Sequence, residues 1–505
     1  MYVHMHLFWL VKRGEERRGE RERERECEMA SPLKTHVVIF PFMAQGHTLP
    51  LLDLSKALSQ RDIKVTIITT ASNAISIAQS TADHPLIGIA EIPFPAIHGL
   101  PKGCENTTQL PSMEFFLPFL QATKQLQKPF EQVLENMSQS NDLPICVVSD
   151  FFLGWTLQSC QAFGVPRLVF HGMGVLSMAL VKSAWVHAPN LENISSSDPL
   201  YLPGIDIPFV LTAADLPERV NSPHDDPFCQ FIGEVAEAEM NSWGVIVNSF
   251  LELEGNHVSS LESFYKNNAK AWCIGPLSLY GDNTEPFQTS LNHEMIMKWL
   301  SMHTMPASVI YVSFGTQADI SDAQLDEIAY GLEESGHPFL WAVRSPTWSV
   351  PVGMEERVKG RGLITKKWVE QRSILGHRAT GGFLSHCGWN SVLESLSAGV
   401  PIMAWPMMAI SEQGLNARFI VDGLEAGIGI EKMQNLESKA AGDDIVSRHA
   451  ICKGVKELIE GSKGKVARER AQGLGEVAMK AVQEDGSSYH VLGKLIDQLC
   501  ACRLK

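Results

Sequence analysis

Of its 505 residues, 45% are hydrophobic and 20% are charged, and the chain carries a formal net charge of −15 at pH 7. This length suits two domains of about 200–250 residues, each large enough for its own hydrophobic core. An acidic chain without a basic stripe argues against nucleic acid as a partner. Ten cysteines without paired spacing indicate neither a disulfide framework nor a zinc site. They favour a reducing compartment, so we expect a cytoplasmic protein.

Residues 1–28 differ in composition from the rest of the chain. Residues 11–26 alternate Glu and Arg, as the translation of a GA-repeat messenger leader would. The apolar piece at 6–11 is too short for a signal peptide or a membrane span, and no later run is long enough to span a membrane. We predict that residues 1–28 are a charged extension outside the fold and that the functional protein starts at Met29. A charged tail with its own role is the alternative.

Apolar strand-like runs alternate with helix-like stretches in the first half of the chain. This alternation is typical of βαβ units, in which a parallel sheet is covered by helices on both faces. The first domain is predicted over residues 29–271. Its predicted strands and helices include strands at 36–41, 64–69 and 145–149 and helices at 50–60 and 153–163.

The segment after the first predicted strand contains a candidate general base. His47 is predicted on the loop at the carboxyl end of this strand, with Pro50 opening the next helix. Catalytic groups collect at this edge of a parallel sheet. A histidine suits proton removal because its pKa lies near neutrality. A lone loop histidine is more often merely solvated, and His36, inside the strand, is a worse candidate.

Asp150 ends another predicted strand of the same sheet. A carboxylate in this place could orient the imidazole of His47 and stabilise its protonated form. The alternative is that Asp150 caps the following helix at its N-terminus.

The strand pattern restarts at Trp272, and the second domain is predicted over residues 272–485. New strands are predicted at 308–314 and 339–343, on either side of a helix at 322–335. The polar segment 278–292 suits a linker between the domains. Ligands bind at the carboxyl ends of the strands of such sheets, so the cleft between the two domains is the expected site.

The most informative segment runs from Trp368 to Gln413. In its centre, His-Cys-Gly-Trp-Asn-Ser at 386–391 follows an apolar stretch and precedes a predicted helix at 392–398. A strand that turns through a glycine into a helix presents free backbone N–H groups to an anion. Asn390 and Ser391 occupy predicted N-cap positions, with Glu394 close behind. An ordinary capped helix would explain these few residues equally well.

The complete run, with Gly399-Val400-Pro401, Trp405-Pro406 and Glu412-Gln413, resembles the signature box of the plant UDP-dependent glycosyltransferases, which glycosylate small molecules. The segments around His47 and Asp150 are similar to the family's catalytic motifs. The resemblance extends from about residue 35 to the C-terminus. It implies an α/β fold of the GT-B type, with two facing Rossmann-like, doubly wound domains and an interdomain cleft. It also implies a closing helix at 486–505 that packs back on the first domain.

The resemblance assigns a role to each matching residue. The catalytic pair would be His47 and Asp150. The residues expected to bind UDP are Trp368 and Val369 at uracil, Gln371 and Glu394 at the ribose hydroxyls, and Ser313, Thr316, His386, Gly388, Asn390 and Ser391 at the diphosphate. The residues expected at the hexose are Trp389, Glu412 and Gln413, and the final Gln favours UDP-glucose over UDP-galactose. The family uses no metal ion and no other cofactor.

The chain departs from the family pattern in three places. Glu370 and Arg378 replace common prolines in exposed loops. In the third, Ile410 and Ser411 are inserted before Glu412-Gln413. If this loop bulges outward, Glu412 and Gln413 still reach the sugar; otherwise the two inserted residues occupy the sugar-binding places.

The resemblance implies a monomeric inverting transferase whose ligands are a UDP-sugar and a small-molecule acceptor. His47 would deprotonate an acceptor hydroxyl, which would attack the anomeric carbon and give a β-glycoside and UDP. The acceptor could be a flavonoid, another phenol or a terpenoid, in a pocket formed by apolar loops at 95–109 and 171–189. One alternative is a catalytically weak UDP-binding protein disabled by the insertion. A nicotinamide dehydrogenase is disfavoured because no early strand is followed by a G-x-G-x-x-G fingerprint.

Overall fold

The computed structural model describes residues 35–97, 99–187, 195, 198–221, 226–280, 291–407, 411–430 and 445–503. The predictions for residues 1–28, for most of the linker at 278–292 and for Ile410 lie outside these described residues.

Seven parallel strands form the sheet of the first domain. They are β1 His36–Phe40, β2 Lys64–Thr70, β3 Ile87–Ile92, β4 Cys146–Asp150, β5 Arg167–Phe170, β8 Gly244–Val247 and β9 Lys270–Cys273. Two further short strands, β6 Pro199–Leu200 and β7 Leu211–Thr212, form a separate antiparallel pair. The order in the sheet is β3-β2-β1-β4-β5-β8-β9. Both β1 and β4 are buried along their whole length, as expected for central strands with helices on both faces.

The described helices of the first domain lie between and around these strands. They are α1 Gln45–Ser59, α2 Ala71–Ser80, α3 Phe116–Thr123, α4 Gln127–Gln139, α5 Thr156–Ala162, α6 Val175–His187, α7 Pro227–Met240, α8 Leu251–Glu254 and α9 Val258–Glu262.

Strand β9 corrects the predicted boundary between the domains. It pairs in parallel with β8, with Cys273 opposite Val247. The boundary predicted between residues 271 and 272 is therefore wrong, because it cuts through a strand of the first sheet. The apolar run at Trp272 closes the first sheet and does not open the second.

The second domain contains a six-stranded parallel sheet of order β12-β11-β10-β13-β14-β15. The strands are β10 Val309–Ser313, β11 Phe339–Ala342, β12 Gly362–Thr365, β13 Thr380–Ser385, β14 Ile402–Ala404 and β15 Gly427–Gly429. The described helices are α10 Leu291–Met302, α11 Asp322–Ser335, α12 Met354–Arg357, α13 Gln371–Leu375, α14 Trp389–Ser397, α15 Gln413–Arg418, α16 Arg448–Glu460 and α17 Ser462–Ala481. Two parallel sheets with helical layers confirm the predicted α/β class and its Rossmann-like halves.

The last helix, α18 Ser487–Arg503, packs on the first domain. Its buried residues Leu492, Leu495 and Leu499 belong to the same hydrophobic cluster as β1 and β4. The Ser488 hydroxyl donates a hydrogen bond to the Gly275 carbonyl. The chain therefore crosses back to the first domain at its C-terminal end.

A hydrophobic cluster also joins the two domains directly. Leu176 and Leu180 of α6 pack in one cluster with Trp389 and Leu396 of α14. The indole N–H of Trp389 donates to the backbone carbonyl of Asn248, at 2.8 Å, in the first domain. These contacts bring the carboxyl ends of both sheets to the same cleft. Within the described ranges, no helix is long and apolar enough to cross a membrane.

Candidate active site

A cavity of about 630 Å³ lies between the carboxyl ends of the two sheets. Every residue that the sequence assigned to the site lines it, except Asp150, which is fully buried behind His47. The lining residues from that set are His47, Ser313, Thr316, Trp368, Val369, Gln371, His386, Gly388, Trp389, Asn390, Ser391, Glu394, Glu412 and Gln413.

His47 lies in the first turn of α1, which begins at Gln45. The predictions of a loop position for His47 and of a helix that opens at Pro50 are both wrong. Pro50 lies inside the helix, where it has no N–H to donate to the carbonyl of Gly46. The Asn390 side-chain amide of the second domain donates to this Gly46 carbonyl instead. The acceptor that the proline leaves open is thereby satisfied across the cleft.

His47 and Asp150 form a hydrogen-bonded pair. The Nδ1 atom of His47 lies 2.7 Å from Oδ2 of Asp150, and the other carboxylate oxygen accepts from the backbone N–H of Phe152 at 3.0 Å. A carboxylate at Nδ1 keeps the proton on that nitrogen and leaves Nε2 as the acceptor. Asp150 does not cap a helix, since α5 begins only at Thr156. The side chain of His47 is 24% exposed while that of Asp150 is 0% exposed, so the imidazole alone is accessible from the cleft.

The surroundings of His47 raise its pKa above the usual 6.5. Burial disfavours the charged imidazolium, but the carboxylates of Asp150 and Glu412 outweigh this effect. The imidazole is therefore a stronger base than a free histidine, and its protonated form is held by a buried counter-charge.

The turn between β13 and α14 forms the opposite wall of the cleft. Cys387 adopts a φ of 66°, a left-handed conformation that is rare for a residue with a side chain. The helix begins at Trp389, and Gly388 is its N-cap. The predicted N-cap positions of Asn390 and Ser391 are therefore wrong, since both lie in the first turn and bind elsewhere: Ser391 accepts from Gln371 at 3.1 Å. The first N–H groups of a helix have no acceptor within it, so they can serve an anion in the cleft.

His386 is enclosed by two glycines. A Cβ atom at Gly388 would lie 2.6 Å from its Nε2, and one at Gly315, in the turn after β10, would lie 2.8 Å away. Gly315 also has a φ of 75°. Burial lowers the pKa of His386 to about 4, so this imidazole is neutral at pH 7 and can donate one hydrogen bond. Sequence reasoning missed Gly315, although the Ser-Phe-Gly-Thr turn contained the signal.

A carboxylate–amide pair occupies the corner expected for ribose. Gln371 donates to Oε2 of Glu394 at 2.8 Å, and Tyr311 donates to Gln371 at 3.2 Å. Arg372 donates to the other oxygen of Glu394 at 3.0 Å. Burial raises the pKa of Glu394, and the charge of Arg372 opposes this shift. Arg372 also binds Asp53 of α1, a contact that sequence reasoning missed because 319 residues separate the two.

Trp368 is 48% exposed at the edge of the cavity, beside Val369. The guanidinium carbon of Arg344 lies 4.9 Å from the centre of its ring. The Asn292 side chain donates to the Trp368 backbone carbonyl at 2.9 Å. A half-exposed indole held in this way presents an apolar surface on which a planar base can stack.

Glu412 and Gln413 reach the cleft in spite of the inserted residues. Glu412 is the N-cap residue of α15, and its charge acts on His47. Gln413 is buried, and its side-chain oxygen accepts from the backbone N–H of Met407 at 2.9 Å. Ser411 lines the same cavity. The cavity therefore contains both the expected pair and Ser411, which neither of the two expectations for this loop describes by itself.

The Trp389 side chain, which was expected to contact the hexose, packs instead against the first domain. Its ring is only 2% exposed, and its indole N–H is bound to Asn248. A Cβ atom at Gly174 would lie 2.9 Å from this ring, so the ring packs directly against the first domain. A contact between Trp389 and a hexose therefore cannot use the indole N–H.

The rest of the cavity is bounded by apolar side chains of the first domain. They include Phe116, Phe152, Met178, Trp185, Val220, Phe228 and Ile232. Residues between 171 and 187 line the cavity as predicted, but the predicted loop is wrong because Val175–His187 form helix α6. No described residue of 95–109 takes part. That loop is held against α2 instead, because Asn106 donates to Asn73 at 2.8 Å. In the described parts of the chain, no group of three or more His, Cys, Asp or Glu residues could hold a metal ion.

Two family models match the chain. Residues 34–191 match a glycosyltransferase N-terminal domain, and residues 297–446 match the family described as UDP-glucoronosyl and UDP-glucosyl transferase. UDP-glycosyltransferase 73B4 of Arabidopsis thaliana is 37% identical, over 92% of this chain and 98% of its own length. Scopoletin glucosyltransferase of Nicotiana tabacum is 36% identical over the same shares.

Solved structures show the same arrangement. UGT73P12 of Glycyrrhiza uralensis, complexed with glycyrrhetinic acid 3-O-monoglucuronide, aligns with a TM-score of 0.81 at 29% identity, over 93% of this chain and 96% of that one. UGT2 of Phytolacca americana, complexed with UDP-2fluoro-glucose and pterostilbene, aligns with a TM-score of 0.75 at 27% identity, over 92% and 100%. These likenesses confirm the predicted GT-B fold. With a relative 37% identical over nearly its whole length, the chain belongs to the plant UDP-glycosyltransferases, enzymes that transfer sugars from UDP-sugars.

Proposed function

We propose that this enzyme is an inverting, metal-independent glucosyltransferase that moves glucose from UDP-glucose to a hydroxyl of a small, uncharged, apolar acceptor. The observation that carries the proposal is the His47–Asp150 pair, 2.7 Å apart, which faces the N-terminus of α14 in the same cavity. A general base and an anion-binding helix end on opposite walls are the two parts that such a transfer needs.

The reaction follows from these positions. The acceptor hydroxyl donates its proton to Nε2 of His47 while its oxygen attacks the anomeric carbon from the face opposite UDP. The bond from the anomeric carbon to the diphosphate oxygen breaks, and its electron pair leaves with UDP. Asp150 positions the imidazole and stabilises the imidazolium that forms. The charge that develops on the diphosphate is stabilised by the N–H groups of α14 and by neutral His386. Attack from this face gives a β-glycoside.

The choice of glucose is supported by the location of Glu412 and Gln413 in the cleft. A carboxylate and an amide can each bind hexose hydroxyls. The Phytolacca structure holds UDP-2fluoro-glucose, and the Nicotiana relative is named a glucosyltransferase. The alternative, a UDP-binding homologue of weak or altered donor activity, required Ile410 and Ser411 to displace this pair from the cleft. The positions of Glu412 and Gln413 argue against it.

The choice of an uncharged acceptor is supported by the first-domain wall. Its lining includes two lysines, Lys56 of α1 and Lys182 of α6, and the ammonium of Lys182 lies 2.6 Å from the buried carboxylate of Glu239. Tyr265 donates to the same carboxylate at 2.7 Å. The charge of Lys182 is therefore neutralised within the protein, and the neighbouring lining is aromatic and aliphatic. A phenol or a terpenoid alcohol fits such a wall.

The test is an acceptor screen with UDP-glucose and UDP-galactose, with and without EDTA. We expect glucosides with the β anomeric coupling in proton NMR, at a rate at least about tenfold above that with UDP-galactose. EDTA should have no effect. Turnover that stops with EDTA would contradict the metal-independent mechanism, and a preference for galactose would contradict the role of Gln413. UDP binding without turnover of any acceptor would support the alternative.

A further inference from the structure

We propose that Arg372 couples closure of the cleft to binding of the ribose, by joining Asp53 of the first domain to Glu394 of the second. The inference rests on the proposed function, because it takes Glu394 to be the carboxylate that binds the ribose hydroxyls. It makes Arg372 and Asp53 positioning residues that act through Glu394.

The geometry is a continuous chain of charged hydrogen bonds across the cleft. Two guanidinium nitrogens of Arg372 bind the two oxygens of Asp53, at 3.1 and 2.6 Å. Its third nitrogen, Nε, binds Oε1 of Glu394 at 3.0 Å. Both carboxylate side chains are 12% exposed, so water screens these contacts less than it screens a surface pair. Asp53 lies on α1, the same helix that carries His47.

The partners of Glu394 give this chain of bonds a functional consequence. Its second oxygen is bound by Gln371, so both oxygens have a fixed direction. A carboxylate that accepts two ribose hydroxyls must be ionised, and burial opposes ionisation of Glu394 while Arg372 favours it. Asp53 in turn holds Arg372 in place from the other domain. When the domains separate, Glu394 loses part of this support, so closure favours ribose binding. By thermodynamic reciprocity, ribose binding favours closure to the same extent.

A purely Coulombic role for Asp53 predicts the opposite change in UDP affinity when its charge is removed. Asp53 lines the cavity, and its negative charge repels an anionic diphosphate. If nothing else mattered, Asp53→Asn would strengthen UDP binding and leave the affinity for uncharged uridine unchanged. Coupling through Arg372 predicts weaker binding of both ligands, because uridine contains the ribose. A merely structural role predicts a lower melting temperature with no change in either affinity.

The experiment measures Kd for UDP and for uridine by titration calorimetry in a double-mutant cycle. In the wild-type background, Asp53→Asn should raise the Kd for both UDP and uridine about three- to tenfold. In the Arg372→Gln background the same substitution should change neither affinity by more than about 1.5-fold, because the connection is already absent. Equal losses in the two backgrounds, no loss, or tighter UDP binding would overturn the proposal.

The chain offers a matched control in a second ion pair between the domains. Arg418 of α15 binds Asp215 of the first domain at 2.9 Å, and neither residue lines the cavity. Arg418→Gln should leave both affinities within about twofold of wild type. A loss equal to that of Asp53→Asn would assign the effect to domain contacts in general and overturn the role of Arg372.

Two further outcomes separate this proposal from the proposed function. If the wild-type enzyme does not bind UDP, both fail. If it binds UDP and turns over glucose while Asp53→Asn changes neither affinity, only the coupling fails. Should Asp53→Asn not fold, Asp53→Glu is measured in its place. Asp53→Glu keeps the charge but moves the carboxylate by one methylene, so it should lower both affinities less than Asp53→Asn does. This smaller loss of affinity must again be absent in the Arg372→Gln background.

Discussion

At the scale of single residues, the His47 imidazole has one side in a buried environment and one side in the cleft. One nitrogen of the His47 imidazole is bound to a fully buried carboxylate, and the ring is accessible from the cleft. Glu412 approaches from the other domain and adds a second negative charge to the surroundings. The basicity of His47 therefore depends on both halves of the molecule.

This environment predicts the pH dependence of catalysis. The base must be neutral to accept a proton, and its pKa is raised, so kcat/KM should rise with pH through a midpoint above 6.5. Glu412→Gln removes a charge that favours the protonated form, so the midpoint should move to lower pH. The measurement is the pH profile of kcat/KM for both proteins. Glu425→Gln, at an exposed carboxylate paired with Arg470, is the control and should leave the midpoint in place. A midpoint that stays or rises in Glu412→Gln would refute the interaction.

The glycines around His386 predict a steric effect on donor binding. Gly388→Ala places a Cβ 2.6 Å from Nε2 of His386, so the imidazole must move out of its position at the expected diphosphate. UDP affinity should fall by about tenfold or more, which corresponds to 1.4 kcal/mol per tenfold. Gly473→Ala, in α17 where a Cβ meets nothing within 4 Å, should leave affinity unchanged and stabilise the fold slightly. Calorimetry with UDP distinguishes the two, and equal affinities would contradict the assigned position of His386.

At the scale of elements, the loop before α15 sets the reach of Glu412 and Gln413. The hydrogen bond from the Met407 N–H to the Gln413 side chain closes this loop. Removing Ile410 and Ser411 shortens the chain between these two bonded residues and should displace the start of α15.

We therefore expect the two-residue deletion to lower kcat/KM with UDP-glucose by at least about tenfold, since one displaced hydrogen-bonding group can cost 1–3 kcal/mol. UDP affinity should stay within about twofold, because the nucleotide residues lie on other elements. Replacing both residues with alanine keeps the loop length and is the control, with turnover near that of wild type. Equal or higher turnover in the deletion variant would show that the extra residues do not position the pair.

Element boundaries show what the sequence could predict. The bounds of α11 were predictable because Ser321 caps its start and Gly336, with a φ of 77°, ends it. Helices α1 and α14 begin several residues earlier in the chain than the sequence pattern predicted. At α1, Pro50 looks like a first helical residue, but the carbonyl that it leaves open is bound by Asn390 from the other domain. A local pattern contains no information about a partner some 340 residues away in sequence, so the start of α1 required the tertiary structure.

At the scale of the whole molecule, several kinds of contact join the domains. A shared hydrophobic cluster holds α6 to α14, α18 returns to the first sheet, and hydrogen bonds and ion pairs connect the two domains. The residues assigned to the donor between Trp368 and Gln413 were predictable because a family motif contains them in one continuous run, and His47 and Asp150 because separate family motifs surround them. Arg372 and Asp53 were not, because the function of each depends on a residue in the other domain.

The central claim is that His47 is the general base of a transferase whose donor binds to the other domain. The most direct test compares His47→Ala with wild type in glucose transfer from UDP-glucose and in UDP binding. Turnover should fall by about 10²–10⁴-fold, the usual contribution of a general base. UDP affinity should be nearly unchanged, because the residues assigned to the nucleotide belong to the second domain. Turnover within a few-fold of wild type, in a folded variant that binds UDP normally, would contradict this account.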